Sequence, residues 1–303
     1  MNKYLRFLTD PVFRFSILTD KGVYNRLSDE DFLKKRYKIV FKKDLDLENP
    51  RTFTEKLQWL KLHDRKPEYT KMVCKCEAKK HVASLIGEEY IIPTLGVWDS
   101  FDEINFDALP NQFVLKCTHD SGGLVICHDK SKLDKKYARQ KIEKCLKRNY
   151  YWSGREWPYK NVKPRIIAEK LITEISNPEG LMEYKIFCFN GKPQMVLVCK
   201  GQAHGAGRTN DFCDLDLNRY PFTSLNPNSK GELKRPEELD EILRIAEVLS
   251  QGICQIRVDT YLVNGRIYFG ELTFFHNSGM KRFEPAEWDE KIGSLIKLPI
   301  KED

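Results

Sequence analysis

Arg257, Asp259, Glu271 and Thr273 stand at alternate positions of two largely apolar stretches that meet at Asn264-Gly265, within IRVDTYLVNGRIYFGELTFFHNSG (256–279). Asn-Gly between alternating apolar residues is a strong hairpin signal, and a period of two puts Arg257 with Asp259, and Glu271 with Thr273, on one face of each strand. Whether the two polar faces coincide depends on the register. A two-residue turn at Asn264-Gly265 pairs Val263 with Arg266 and turns Asp259 away from Glu271. An odd-length loop closing a glycine bulge puts Arg257 opposite Glu271 and gathers all four groups. Two carboxylates beside an arginine suit a Mg²⁺ that carries nucleotide phosphates, because magnesium takes carboxylate and phosphate oxygens and the guanidinium neutralises a transferring phosphoryl group. A charged solvent face of an ordinary sheet is the bland alternative.

Two other places are candidates for phosphate or nucleotide chemistry. Lys116 lies in the apolar run FVLKC (113–117), immediately before the glycine-containing THDSGGL (118–124). A lysine on a buried strand supplies a point charge, and neighbouring glycines let backbone N–H groups approach oxygens closely; an ordinary hairpin turn is the simpler reading of the glycines. Glu169-Lys170-Leu171 ends a strand-like run (165–172). It is either the solvent end of that strand or a hinge whose backbone reads an adenine edge, with Glu174 in reach of a ribose.

The elements that must position these groups follow the chain. Residues 1–48 read as helix with breaks. Thr52 and Glu55 form a capping box at the start of a helix over 52–63, with Phe53, Leu57 and Leu60 as its apolar stripe. A helix over 70–86 ends near Gly87, a short buried strand lies in 89–98, and strand, loop and strand fill 113–127. A basic helix occupies 131–149, an aromatic loop 150–159 leads to the strand at 165–172, and a hairpin over 183–200 turns at Asn190-Gly191. The stretch 201–235 is irregular, and a helix over 236–250 opens on Pro236.

The 303 residues suffice for a large core, and 41% apolar with 31% charged residues is a folded, non-membrane composition. There is no apolar run of about 18 residues and no h-region with a small-residue cleavage site at the N-terminus. Nine scattered cysteines without a Cys-x-x-Cys pair point to a reducing cytoplasm, and Cys74-x-Cys76 alone is a poor zinc signal. The net charge of +7 fits an acidic partner, but no nucleic-acid signature accompanies it, and KKRYKIVFKK (34–43) reads as a solvated helix face.

The order of parts resembles the ATP-grasp enzymes, and within them the TupA-like group found with bacterial surface-polysaccharide genes. The segments that carry the resemblance are NPRTFTEKLQWLKL (49–62), GEEYIIPTLGVW (87–98), FVLKCTHDSGG (113–123), EYKIFCFNG (183–191) and 256–279. The resemblance implies an α+β ATP-grasp fold, two α/β lobes gripping ATP. Its portions would be a helical segment over 1–48, an N-terminal portion over 49–112, a small central lobe over 113–170 and a C-terminal lobe with the metal site over 171–303. It implies that Lys116 contacts the nucleotide phosphates and Lys75 matches it from the N-terminal side. Ser121, Gly122 and Gly123 would form a flap over the phosphates, and Glu169, Lys170, Leu171 and Glu174 would hold the nucleoside. Asp259, Glu271 and Thr273 would bind Mg²⁺, and Arg257 would stabilise an acyl-phosphate step. Lys185, His204, Arg208, His276, Asn277, Ser278 and Gly279 are expected on the substrate side. The family pattern is broken in three places: Cys74 stands where an aspartate precedes the first lysine, Thr273 takes an asparagine position, and Phe274-Phe275-His276-Asn277 replaces Phe-Tyr-Pro before Ser-Gly.

The activity so implied is an ADP-forming carboxylate–amine ligase using ATP and Mg²⁺. The acid would be a uronic acid of a polysaccharide or its sugar-nucleotide precursor, and the amine an amino acid or small amine. Residues 1–44 are a candidate for peripheral docking to membrane-bound polysaccharide machinery. Two competitors remain: a glycosyltransferase using Asp214 and Asp216 as an Asp-x-Asp metal motif, and a non-catalytic nucleotide-binding relative.

Overall fold

A computed structural model describes residues 3–120, 122–172, 181–201 and 207–299. The chain begins with three helices, α1 (Lys3–Thr9), α2 (Pro11–Asp20) and α3 (Asp29–Phe41). Asp10 caps α2 by accepting from the N–H groups of Val12 and Phe13, and Ser28 caps α3 ahead of three acidic residues in its first turn. Phe15, Phe32, Leu33, Tyr37 and Leu45 form a small core that also takes in Met280 from the far end of the chain. The lysine-rich run 34–43 is thus solvated on one face only, since Tyr37 is fully buried. Helix α4 (Phe53–His63) starts in the capping box of Thr52 and Glu55, and buries Phe53, Leu57 and Leu60. The helix expected over 70–86 is two helices, α5 (Glu68–Val73) and α6 (Lys75–Ile86), because Cys74 between them is extended, with φ −75° and ψ 113°.

The first sheet contains β1 (Thr94–Trp98), β2 (Phe113–Cys117), β3 (Leu124–Cys127) and β4 (Ile166–Lys170) in the order β1-β4-β2-β3, all antiparallel. Between β3 and β4 run α7 (Lys135–Leu146) and the single turn α8 (Tyr151–Gly154). Ala138, Ile142 and Cys145 of α7 pack on Phe113, Leu115 and Cys117, which fixes the opposite face of β2 for Lys116. The strand near residue 94 is an edge strand of this sheet and only half buried, where a buried strand was expected.

The second sheet has β5 (Met182–Phe189), β6 (Lys192–Lys200), β7 (Thr209–Cys213), β8 (Gln255–Val263) and β9 (Arg266–Thr273) in the order β7-β6-β5-β8-β9. One of its faces is apolar and packs on α9 (Leu239–Ser250) through Ile242, Ile245, Ala246 and Leu249. The chain closes with α10 (Glu287–Ser294), where Asp289 accepts from the backbone N–H and hydroxyl of Thr54 at 2.9 and 2.6 Å and ties the C-terminal region to α4.

The two alternatives for the hairpin are resolved by a third arrangement. Asn264 and Gly265, at φ 51° and 72°, make the two-residue turn, and Val263 does pair with Arg266. The register slips further along. Thr260 pairs with Phe269 but Asp259 pairs with Glu271, so Gly270 is the extra residue of a bulge. A Cβ at Gly270 would lie 2.9 Å from the Asp259 carbonyl oxygen, so the close approach requires glycine.

Candidate active site

The bulge sets the geometry of the second sheet's polar face. Lys185 of β5 pairs with Asp259 of β8, which pairs with Glu271 of β9, so three charged side chains form one row across three strands. The next row carries Arg257 opposite Thr273. Arg257 donates from Nε and Nη2 to the two oxygens of Asp259, each at 2.6 Å, and Lys185 Nζ donates to Asp259 Oδ2 at 2.6 Å. Burial pushes the Asp259 carboxyl upward, but Arg257 and then Lys185 outweigh it and hold the carboxyl below its ordinary range. Glu271 is different. Its side chain is 47% exposed, 3.6 Å from Arg257 Nη2, and accepts from the Thr273 hydroxyl at 3.4 Å.

Arg257 Nη1 lies 2.6 Å from His276 Nδ1. Guanidinium nitrogens only donate, so His276 is the neutral tautomer protonated on Nε2. Burial, reinforced by the Arg257 charge, holds its pKa well below the ordinary value. His276 therefore orients the arginine.

On the first sheet Glu169 is enclosed by two lysines. Lys116 Nζ and Lys79 Nζ each lie 2.5 Å from one of its oxygens, and Lys79 also donates to the Ile92 carbonyl at 2.7 Å. Burial raises the Glu169 pKa, but the two lysines prevail and lower it. The Glu169 side chain thus organises the lysines, while its backbone is locked in the centre of the sheet between Thr94 and Val114. Lys170 is exposed, and Leu171 follows it outside any strand. Lys79 escaped the sequence reading, although it sits four residues after Lys75 and so on the same face of α6.

Lys75 Nζ donates to the Asp120 carbonyl at 2.8 Å and anchors the loop that follows β2. In that loop the Asp120 carboxylate takes the Arg148 guanidinium at 2.6 Å and the Gly122 N–H at 3.2 Å. A Cβ on Gly123 would fall 2.5 Å from Cys117 Sγ, so packing over β2 already requires that glycine. Ser121, Glu174 and His204 lie outside the described residues.

Both clusters act electrostatically on one side chain. Tyr261 stands on the polar face of β8, and its pKa is raised well above the ordinary value, by burial first and then by Glu183, Glu271 and Asp259 of the second sheet and Glu169 of the first. Tyr159, from the aromatic loop, is raised likewise by burial and then by Glu156 and Glu271.

The remaining substrate-side residues divide. Arg208 is paired with Glu183 at 2.7 Å, and Glu183 also touches Lys185 at 3.1 Å, so Arg208 joins the charged row at its edge. Asn277, Ser278 and Gly279 form a turn with φ of 49°, 58° and 62°. Asn277 lies 2.9 Å from His276 Nε2 and serves that ring best through its amide oxygen. Ser278 and Gly279 are drawn toward α4: Lys61 Nζ donates to Ser278 O and Oγ at 2.8 and 2.9 Å, and a Cβ on Gly279 would meet Gln58 at 2.4 Å. Asp214 spends its carboxylate on a turn, accepting from the N–H groups of Asp216 and Asn218 at 2.9 and 2.8 Å. A cavity of 240 Å³ lined in part by Tyr184, Val198, Leu217 and Leu233 opens on the other face of the second sheet, away from these charges.

The residues fit a nucleotide-carrying divalent ion by their donor chemistry. Among the described residues no group of three carboxylate, histidine or cysteine side chains could hold a metal ion. Magnesium needs only one or two carboxylates when phosphates complete its shell. Asp259 receives three hydrogen bonds, one on Oδ1 and two on Oδ2, which leaves one of its four lone-pair sites, and Glu271 is open.

Residues 55–297 match the model of the TupA-like ATP-grasp family. The chain belongs to that family. Its two antiparallel sheets with flanking helices are an α+β ATP-grasp fold. No curated protein matches the sequence. Among solved structures the TupA-like chain is similar to D-alanine–D-alanine ligase from Bacillus anthracis in complex with ATP, at 17% identity and TM-score 0.39 over 67% of this chain and 55% of that one. The Helicobacter pylori D-alanine–D-alanine ligase is 14% identical, TM-score 0.42, over 80% and 69% of the two chains. The biotin carboxylase domain of Hydrogenobacter thermophilus 2-oxoglutarate carboxylase, in complex with MgADP, is 13% identical, TM-score 0.42, over 76% and 47%. The chain thus spans just over half the length of the Bacillus anthracis ligase. Among the described residues no helix is long and apolar enough to cross a membrane.

Proposed function

We propose that this ATP-grasp enzyme is a carboxylate–amine ligase that consumes ATP and works with Mg²⁺. The reading rests on two charge clusters, Lys79–Glu169–Lys116 on one sheet and Lys185–Asp259–Glu271 with Arg257 on the other, whose carboxylates all act on Tyr261. Phosphates lie between the clusters in this reading, and the adenine against the chain beyond β4, where Lys170 and Leu171 leave the sheet. Lys116 of the first sheet and Lys75 of α6 hold the phosphate oxygens, while Lys79, whose three donors go to Glu169, Ile92 and Thr94, keeps Glu169 in place. Asp259 and Glu271, with Thr273, would hold the magnesium, which when bound would neutralise phosphate charge.

A substrate carboxylate attacks the γ-phosphorus, ADP leaves, and an amine displaces phosphate from the acyl-phosphate to give an amide. Arg257, oriented by Asp259 and His276, faces the charge that builds on the transferring phosphoryl group. Lys185 and Arg208 lie beside it as the cations for the acid. The family, the basic row and the net charge of +7 support a uronic acid of a polysaccharide, or its sugar-nucleotide precursor, with an amino acid or small amine as the second substrate. Nine free cysteines support a reducing cytoplasm as its place of work. Functionally we divide the chain into a helical segment over 1–48, portions over 49–112 and 113–170 on the phosphate-lysine side, and 171–303 on the metal side.

The test incubates the protein with ATP, Mg²⁺, a panel of uronic acids and sugar-nucleotide uronates, and mixed amines, and follows ADP and amides by mass spectrometry. An amide formed in step with ADP, and abolished in Glu271→Gln, supports the ligase. A nucleoside diphosphate released from a sugar donor with ATP untouched overturns it.

A further inference from the structure

The first turn of α6 carries a pair of thiols that the nucleotide chemistry does not use. Cys74 Sγ and Cys76 Sγ are 3.3 Å apart, on either side of Lys75. Cys74 is buried and Cys76 is half exposed. The Arg165 guanidinium reaches Cys76 Sγ at 3.1 Å, and Glu77 stands 3.9 Å from the same arginine. The contact with Cys76 lowers the Cys74 pKa against the pull of burial, helped by backbone N–H groups of the first helical turn. The Cys76 pKa is raised by its contact with Cys74 and its burial, with the Arg165 guanidinium pulling the other way. Of the seven other cysteines, six are buried, and Cys254 points at the Lys297 carbonyl at 3.1 Å.

We propose that Cys74 and Cys76 form a reversible dithiol–disulfide site whose oxidation loosens the lysine side of the nucleotide site. The distance, the partial exposure of Cys76 and the neighbouring Arg165 carry it. With hydrogen peroxide as oxidant, the thiolate sulphur attacks one peroxide oxygen; an S–O bond forms, the O–O bond breaks and hydroxide leaves. The partner thiol then attacks the sulfenic sulphur. An S–S bond forms, the S–O bond breaks, and water departs with the thiol proton. Two thiol sulphurs are oxidised and one peroxide is reduced. Closing the sulphurs to about 2.05 Å moves them by roughly 1.2 Å. That shift acts on the turn whose Lys75 holds the Thr118 carbonyl by its N–H at 3.0 Å and the Asp120 carbonyl by its Nζ, and whose next turn holds Lys79. The consequence for nucleotide binding rests on the function proposed above; the disulfide itself does not.

The full chain is treated with hydrogen peroxide, alkylated with iodoacetamide and digested with trypsin, and ATP binding is measured by calorimetry on reduced, oxidised and re-reduced protein. Trypsin cuts after Lys75, so a disulfide is read as peptides 72–75 and 76–79 remaining joined until dithiothreitol parts them. The expected result is that joined pair in the wild type, its absence in Cys74→Ser and Cys76→Ser, and an ATP affinity that falls several-fold on oxidation and recovers on reduction. Both thiols alkylated after peroxide, or sulfinic acid accumulating without the link, overturns the site. A disulfide with unchanged ATP affinity overturns its effect on the nucleotide. Absence of ATP binding in every redox state counts against the proposed function and leaves the peptide readout intact.

Discussion

Asp259 and Glu271 face each other on adjacent strands but are held differently, and that difference separates their substitutions. Asp259 is 5% exposed in its side chain and carries two buried cations, whereas Glu271 is half in solvent. Asp259→Asn leaves Arg257 and Lys185 without their carboxylate, a change that costs about 3–5 kcal/mol when one partner of a buried pair is removed. Glu271→Gln is expected to stay within about 0.5 kcal/mol of the wild type while removing Mg²⁺-dependent turnover. Urea melts together with amide formation distinguish the two. Glu169 gives a pH signature. Its carboxyl is lowered in the folded state, so its contribution is fully present above the ordinary value of 4.5 and is lost as pH falls below it toward the folded-state value. The stability gap between wild type and Glu169→Gln is therefore expected to be wide at pH 7 and to narrow progressively below pH 4.5. Denaturant midpoints measured across that range check the sign.

At the scale of the elements, the β8–β9 hairpin depends on one residue with no side chain. Gly270 lets β9 gain the extra residue that turns Glu271 and Thr273 onto the face of Arg257 and Asp259. Gly270→Ala places a Cβ against the Asp259 carbonyl and the Tyr261 ring at 2.9 and 3.1 Å. Overpacking of this kind costs about 1–3 kcal/mol. Straightening the bulge would also return Glu271 to the opposite face, so turnover should fall further than stability does. Turnover and a thermal melt on the same preparation test that order of effects.

For the molecule as a whole, the proposed phosphate site draws on both sheets. Ligation of both by one nucleotide stabilises the folded chain against the unfolded one, by about 2.7 kcal/mol when free ligand is a hundred times its dissociation constant. ATP with Mg²⁺ should raise the melting temperature, and ATP should raise it less in Glu271→Gln; scanning fluorimetry reads both. The N-terminal helices are part of the same body. Arg36 donates to the Ser153 carbonyl at 2.9 Å, Asp29 pairs with Arg65 at 2.7 Å, and Arg155 reaches back to the Tyr24 carbonyl at 2.8 Å.

The sequence by itself determined the local parts. The Thr52–Glu55 capping box and the two Asn-Gly turns were legible because cap and turn chemistry lies within a few residues. The order of lysine, glycine loop, Glu-Lys and Arg-x-Asp was enough to name the family. Tertiary structure decided which of these groups meet. The alternation pattern alone offered either a tight turn or a shared polar face. The Gly270 bulge gives both, and its cue was a glycine inside a strand. Glu169 looked like the end of a strand, and only the placement of α6, whose Ala78, Val82 and Ile86 pack into the core of the second sheet and α9, brings Lys79 across to it. The motif points Ser278 and Gly279 to the substrate side, and the approach of α4 through Gln58 and Lys61 gives them a structural task as well. Periodicity fixes the face on which a side chain leaves its own element. What it meets there is set by elements distant in the chain, whose approach depends on burying apolar faces rather than on the residues beside it.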